Sequence, residues 1–264
     1  NYGIDFRGGT NIQIRFKEVP NLDQLRNFFS EQNLGNVMLQ TFGAVEDREI
    51  LLGLSVDNPL GTGEKLTAGL REMLQPNYPE MEIRRIETIG PKVGDELKTS
   101  ALQAILIALG LVLIYITFRF QWRQGIAAII TLLHDVMVVV GIFSIFDKEF
   151  TLPVIAALLT VVGYSLNDTI VIFDRIRENI SKFRKRELLP LINQSVTETL
   201  SRTLLTSGTT LMVVLALVFL GGEIIHDFAF ALLVGVLIGT YSSIYVASPT
   251  VLWLTKIAPP KTSD

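Results

Sequence analysis

The sequence predicts an α/β domain of the ferredoxin-like βαββαβ type over residues 1–95, followed by an all-α membrane bundle over residues 96–264. Three observations predict this division. The chain has 264 residues, of which 49% are hydrophobic and 19% charged, but the charges crowd into the first 98 residues and long later stretches carry none. The first part alternates between short period-two runs and runs with helical spacing. The second part holds apolar segments of 20 residues and more, long enough to cross a bilayer.

The α/β part reads in order as follows. Asn11-Ile12-Gln13-Ile14-Arg15-Phe16 alternates and forms a strand with one buried face. Pro20 and Asn21 break it. Leu22, Leu25, Phe28 and Phe29 then recur at helical spacing, with Asn21 as the N-cap and Gly35 as the stop. Residues 37–42 and 49–56 form two strands. Asp57-Asn58-Pro59-Leu60-Gly61-Thr62-Gly63 has the composition of a loop. Leu66, Leu70 and Leu74 mark a second helix, and Met81 opens a fourth strand. The order β-α-β-β-α-β is the split βαβ arrangement. Gly8-Gly9 is expected to be a tight turn entering the first strand. Gly90-Pro91-Lys92-Val93-Gly94 is expected to be a stiff junction without helix.

Five crossings follow, near residues 97–118, 124–146, 150–174, 192–222 and 227–255. Residues 99–118 carry no charge, and 20 residues span about 30 Å at 1.5 Å per residue. One loop face holds Arg119, Arg123, Arg175, Arg177, Lys182, Arg184, Lys185, Arg186 and Lys256. The other holds Asp147, Lys148, Glu149, Glu223 and Asp227. The positive-inside rule puts the basic face in the cytoplasm and residues 1–95 outside it. That orientation needs an earlier outward-running helix, so a sixth crossing is expected upstream of Asn1.

Several classes of chemistry are excluded by composition. There is no cysteine, so disulfides and thiolate sites are absent. No catalytic constellation is evident and no metal or other cofactor is expected; Gly61-Thr62-Gly63 lacks the context of a phosphate loop. The net charge of −3 identifies no partner, and no nucleic acid is expected.

The informative residues are ionisable groups inside apolar segments. Asp168, preceded by Asn167, lies six residues before Asp174, roughly 9 Å above the expected end of its crossing. A carboxylate at such depth costs roughly 2.5–3.5 kcal/mol on insertion scales unless paired, protonated or wet. It either reaches water as a helix cap or carries a function. Arg202 is either a flanking anchor of the fourth crossing or, if that helix begins near Ile192, an intramembrane partner level with Asp168. Thr203, Thr206, Ser207, Thr209 and Thr210 would surround such a pair with hydroxyls, or simply let helices pack closely. His134-Asp135 lies mid-crossing. It reads as a satisfied helix contact, or with Asp168 as a proton-sharing protease pair, although the Gly-x-Gly-Asp context of such a protease is missing.

Residues 163–179, Gly-Tyr-Ser-Leu-Asn-Asp-Thr-Ile-Val-Ile-Phe-Asp-Arg-Ile-Arg-Glu-Asn, closely resemble the signature of the SecF family, membrane subunits of the bacterial SecD–SecF protein-export machinery. Other stretches agree in order: Gly3-Ile4-Asp5-Phe6-Arg7-Gly8-Gly9-Thr10, Gly90-Pro91-Lys92-Val93-Gly94, Phe118-Arg119-Phe120-Gln121-Trp122-Arg123, His134-Asp135-Val136, 202–210 and 242–248. The resemblance implies a multi-pass protein of the bacterial inner membrane with six helices in full, belonging to the resistance-nodulation-division superfamily. It implies work with SecD, the Sec channel, a preprotein and the lipid bilayer, with the proton gradient as energy source. It carries the proton-pathway role to Asp168 and Arg202, with Asn167, Thr206, Ser207, His134 and Asp135 as supporting candidates. Since Arg stays charged, Asp168 would be the carrier. The rival readings are another proton-coupled exporter of that superfamily, which would carry a larger exported domain, and a membrane scaffold that transports nothing.

Overall fold

The computed structural model describes residues 2–18, 20–32, 34, 37–43, 45–119, 122–183 and 187–257. The expected helix stop at Gly35, the motif residues Phe120 and Gln121, and the basic residues Arg184, Lys185 and Arg186 lie outside the described residues. The chain divides into two units, one formed by Asn1–Leu102 with Glu149–Leu152, the other by Gln103–Lys148 with Pro153–Asp264.

In the first unit a helical turn α1 (Ile4–Arg7) precedes β1 (Gly9–Arg15), α2 (Leu22–Glu31), β2 (Val37–Phe42), β3 (Glu49–Leu54), α3 (Glu64–Leu74) and β4 (Glu82–Ile89). The sheet order is β2-β3-β1-β4 with antiparallel neighbours throughout, which is the ferredoxin-like arrangement. Alternation decides the buried face. Thr10, Ile12 and Ile14 of β1 and Ile50, Leu52 and Leu54 of β3 turn inward. Leu25 and Phe29 of α2 and Leu66, Leu70 and Leu74 of α3 cover them. Each such side chain contributes roughly 1.5–3 kcal/mol on burial.

Asn21 caps α2, its Oδ1 accepting from the Asp23 N–H at 2.9 Å and the Gln24 N–H at 3.4 Å. Asn21→Ala leaves those donors to water and is expected to cost about 1 kcal/mol. Thermal unfolding of the purified chain, read by circular dichroism, checks this.

Gly8 (φ 71°) and Gly9 (φ 136°) make the expected turn into β1, and a side chain on Gly9 would lie 2.5 Å from the Leu54 carbonyl oxygen. Residues 90–94 differ from expectation. They open α4 (Pro91–Arg119) rather than forming a non-helical junction. Proline at the first helical position gives up an N–H that has no partner there, and its fixed φ suits the helix. Gly94 lets this first turn approach α1, since a Cβ there would sit 3.2 Å from Gly8 N and 3.3 Å from Phe6 O. The same unit holds residues 149–152, where Gly3 N–H donates to Phe150 O and Leu152 N–H to Asp5 Oδ2, each at 2.8 Å.

The second unit contains the rest of α4, then α5 (Trp122–Ile145), α6 (Leu152–Lys182) from Pro153 onward, α7 (Leu188–Leu220), α8 (Glu223–Ser242), a π-helical turn Ser243–Ala247 and α9 (Ser248–Ile257). Among the described residues, five helical stretches are long and apolar enough to cross a membrane, the last running through α8, the π turn and α9. Three boundaries depart from expectation. α6 continues to Lys182, α7 starts at Leu188, and the fifth crossing is interrupted. The extension of α6 is polar. Arg175–Glu178 at 2.6 Å and Glu178–Lys182 at 2.6 Å support the end of α6, in the spacing that stabilises helix surfaces. Asp168 is therefore fourteen residues from the end of α6, not six.

Candidate functional site

Close helix packing builds the site. Gly235 and Gly239 stand one turn apart on α8 and face α6. A Cβ on Gly235 would lie 2.1 Å from Val161 Cγ2, and one on Gly239 would lie 3.2 Å from Ser165 Cβ. Small residues at four-residue spacing let two backbones approach, and here they bring the hydroxyls of α8 to the polar face of α6.

Two carboxylates occupy this region. Asp168 on α6 is 3% exposed. Its hydrogen-bond partner is Ser207 of α7, whose Oγ donates to Asp168 Oδ2 at 3.3 Å. Ser207 Oγ in turn accepts from Thr240 Oγ1 of α8 at 2.7 Å and from the Tyr164 hydroxyl at 3.3 Å. Asp135 on α5 is 1% exposed. Ser165 Oγ donates to its Oδ2 at 2.5 Å, Ser242 Oγ donates to the same oxygen at 2.8 Å, and His134 Nδ1 lies 2.9 Å from Oδ1. The two differ in kind. Asp135 is held by groups from three helices, whereas Asp168 has a single long bond from a neutral hydroxyl. Burying a carboxylate is costly unless it is fully hydrogen-bonded, paired or neutral. Asp135 meets the first condition, and Asp168 is the carboxylate with room to change state.

Arg202 is exposed on α7, and among the described residues it forms no ion pair with Asp168. The expected direct pair fails for a geometric reason. The buried stripe of α7 runs through Thr203 and Ser207, and Arg202, one residue off it, is turned about 100° away. Ser207 is brought to Asp168. Thr206 bonds back to the Arg202 and Thr203 carbonyls at 3.0 Å each, and Asn167 is exposed; neither joins the network. His134 and Asp135 form their own cluster, and among the described residues no hydrogen bond joins Asp135 to Asp168.

Sequence reasoning did not anticipate Ser165, Tyr164, Thr240 or Ser242. Ser165 carried a signal, lying three residues before Asp168 on one helix. Ser242 did not, being 107 residues from Asp135. At the charged end of the bundle, Asn179 Nδ2 donates to Ser195 Oγ and to Glu198 Oε2, each at 2.9 Å, and Arg175 Nε meets Glu198 at 2.5 Å. Among the described residues no cluster of metal-ligating side chains is present.

Residues 70–257 match the family model for the C-terminal part of the protein export membrane proteins SecD and SecF, and residues 1–18 match the SecD/SecF GG motif. The chain is 49% identical to the protein translocase subunit SecF of Desulfurispirillum indicum, covering 94% of this chain and 80% of that protein. It is 48% identical to SecF of Vibrio alginolyticus, covering 96% and 80%. Among solved structures, the crystal structure of SecDF from Thermus thermophilus, a translocon-associated membrane protein, superposes with a TM-score of 0.87 at 41% identity. That match covers 97% of this chain and 34% of the SecDF chain, so the chain spans about a third of that longer protein. Two-domain composition, ferredoxin-like sheet, five membrane-competent helices, GG motif and similarity over most of the chain agree, and the chain belongs to the SecD/SecF family of protein export membrane proteins, as a SecF subunit.

Proposed function

We propose that this chain, together with a SecD partner, uses the proton-motive force to complete passage of preproteins through the Sec channel. Asp168 takes up and releases the proton. The observation that carries this reading is the state of Asp168, a carboxylate buried in a membrane-competent helix and held by one 3.3 Å hydroxyl bond. Arg202 supplies a fixed positive charge close by. Its exposed position on α7 suits contact with a second chain, and SecD is the partner that the SecF relatives and the SecDF structures favour.

A movement that changes the distance between Asp168 and Arg202, or the alignment of Ser207, would load or unload the proton. Each proton descending the potential supplies roughly 2.3 kcal/mol per 100 mV, enough over a few events to bias a two-state packing arrangement. The basic residues Arg119, Arg123, Arg175, Arg177 and Lys182 favour an orientation with that end in the cytoplasm and the sheet domain outside the bacterial inner membrane.

The test is proton flux into vesicles holding this chain with SecD, beside vesicles holding SecD alone. Flux that requires this chain and rises with the imposed gradient is expected. Export that proceeds with no gradient-dependent flux would make the chain a scaffold.

A further inference from the structure

The single turn α1 meets three segments of the chain. Gly8 and Gly9 lead from it into β1. The first turn of α4 lies against it, where a Cβ on Gly94 would stand 3.3 Å from Phe6 O and 3.4 Å from Asp5 O. Residues 149–152 lie along its start. Tyr2 pairs with Phe150 in a single β-bridge, Gly3 N–H donates to Phe150 O at 2.8 Å, and a Cβ on Gly3 would stand 2.9 Å from Thr151 Cγ2. The Lys98 ammonium of α4 sits 5.5 Å from the centre of the Tyr2 ring. All these residues belong to the first unit.

Asp5 makes the closing contact. Its Oδ2 accepts from the Leu152 N–H at 2.8 Å, across 147 residues of sequence. Leu152 is the first residue of α6, and the first N–H groups of a helix have no acceptor within it. Pro153 follows and carries no N–H, so Leu152 is the leading donor. A carboxylate here is a charge-assisted cap that also suits the positive end of the helix dipole. Caps usually come from the residue just before the helix; this one comes from the turn that opens the α/β part. α6 then runs without a break to Lys182. Asp168 lies sixteen residues along it, about 24 Å at 1.5 Å per residue.

We propose that Asp5 is a positioning residue and α1 a coupling joint. Through the Asp5–Leu152 bond, α1 fixes the start of the helix that carries Asp168, and a movement of the α/β part is passed along α6. The consequence for export rests on the reading of Asp168 as the proton carrier. A continuous helix is a rigid element that carries a displacement from one end along its length. Without the cap its first turn frays, and a movement of α1 is absorbed there. α4 starts on the same turn, so the joint grips two membrane-competent helices.

The test uses the full chain with SecD. Hydrogen exchange at the Leu152 amide reads the bond, vesicle proton flux reads Asp168, and gradient-stimulated export reads the coupling. Asp5→Ala is expected to speed Leu152 exchange about fivefold, as loss of a cap does. It should keep proton flux and ATP-driven export, while gradient stimulation of export falls about fivefold. Asp5→Asn keeps a neutral acceptor and should retain about half of the stimulation. Gly3→Ala forces residues 149–152 off α1 and should lose stimulation with Asp5 intact; it carries the test should Asp5→Ala fail to assemble. Normal stimulation in Asp5→Ala with fast Leu152 exchange would overturn the joint. So would flux and export falling together with the melting temperature, or Asp5→Asn as impaired as Asp5→Ala. Slow Leu152 exchange in Asp5→Ala would overturn the cap whatever the flux. Absence of wild-type flux would overturn the reading of Asp168 instead.

Discussion

Asp168→Asn, in the full chain assembled with SecD, is expected to remove gradient-stimulated export altogether while ATP-driven export continues. Asparagine fills nearly the same volume and its amide oxygen still accepts from Ser207, whose hydroxyl lies 3.3 Å from the carboxylate. Packing around the site therefore stays, and what disappears is the proton that only a carboxyl can carry. The energy removed is the whole proton contribution, roughly 2.3 kcal/mol per proton per 100 mV. Preprotein translocation at saturating ATP, with and without an imposed gradient, reads this directly: the variant should run at one rate in both. Arg202→Lys keeps a charge but loses the planar fork, and its gradient stimulation is expected to fall only partly. A gradient response of normal size in Asp168→Asn would place the proton route elsewhere in the complex.

Gly235→Val is expected to have the largest effect on stability. Any Cβ at this position would stand 2.1 Å from Val161 Cγ2, with Val161 Cβ itself 2.9 Å away. The obstacle is a branched side chain on a helix, so α8 must move off α6. Overpacking of this kind costs about 3 kcal/mol at its upper range. Displacing α8 would also withdraw Ser242 from Asp135 and Thr240 from Ser207, which depend on that approach. Thermal unfolding in detergent should show the loss, and pairing Gly235→Ala with Val161→Ala should restore most of it. Gly239→Ala is the milder case, because its nearest neighbour would be at 3.2 Å, within reach of a shift of a few tenths of an ångström.

How much of this was legible follows from the range of each signal. The alternation of Ile12 and Ile14, the leucines of α3 and the Asn21 cap are local, and the ferredoxin-like order was read from them. The Pro91 start of α4 was misread because a Gly-Pro pair signals both turns and helix beginnings, and only tertiary contact with α1 decides between them. The expected end of α6 is too short because hydropathy measures the apolar stretch, whereas helical hydrogen bonding continues through Arg175, Glu178 and Lys182. Asp168 stood out as a charge in an apolar run. Its neighbours depend on which face of α7 turns toward α6, so Ser207 rather than Arg202 beside it could not be read from spacing to the nearest charge. The triple support of Asp135 joins residues from three helices, which no local pattern reports.

The π-helical turn Ser243–Ala247 sets a limit on how the last crossing can be read from substitution data. Such a turn carries one residue more than the α-helix it interrupts, and one residue is about 100° of helical phase. A wheel drawn continuously through residues 225–257 therefore misassigns one half. A complete substitution scan should show two periodic patterns of tolerance, one for α8 and one for α9, offset by about that angle. Deleting a single residue within 243–247 should bring them into phase and leave Val251, now buried, on its buried face.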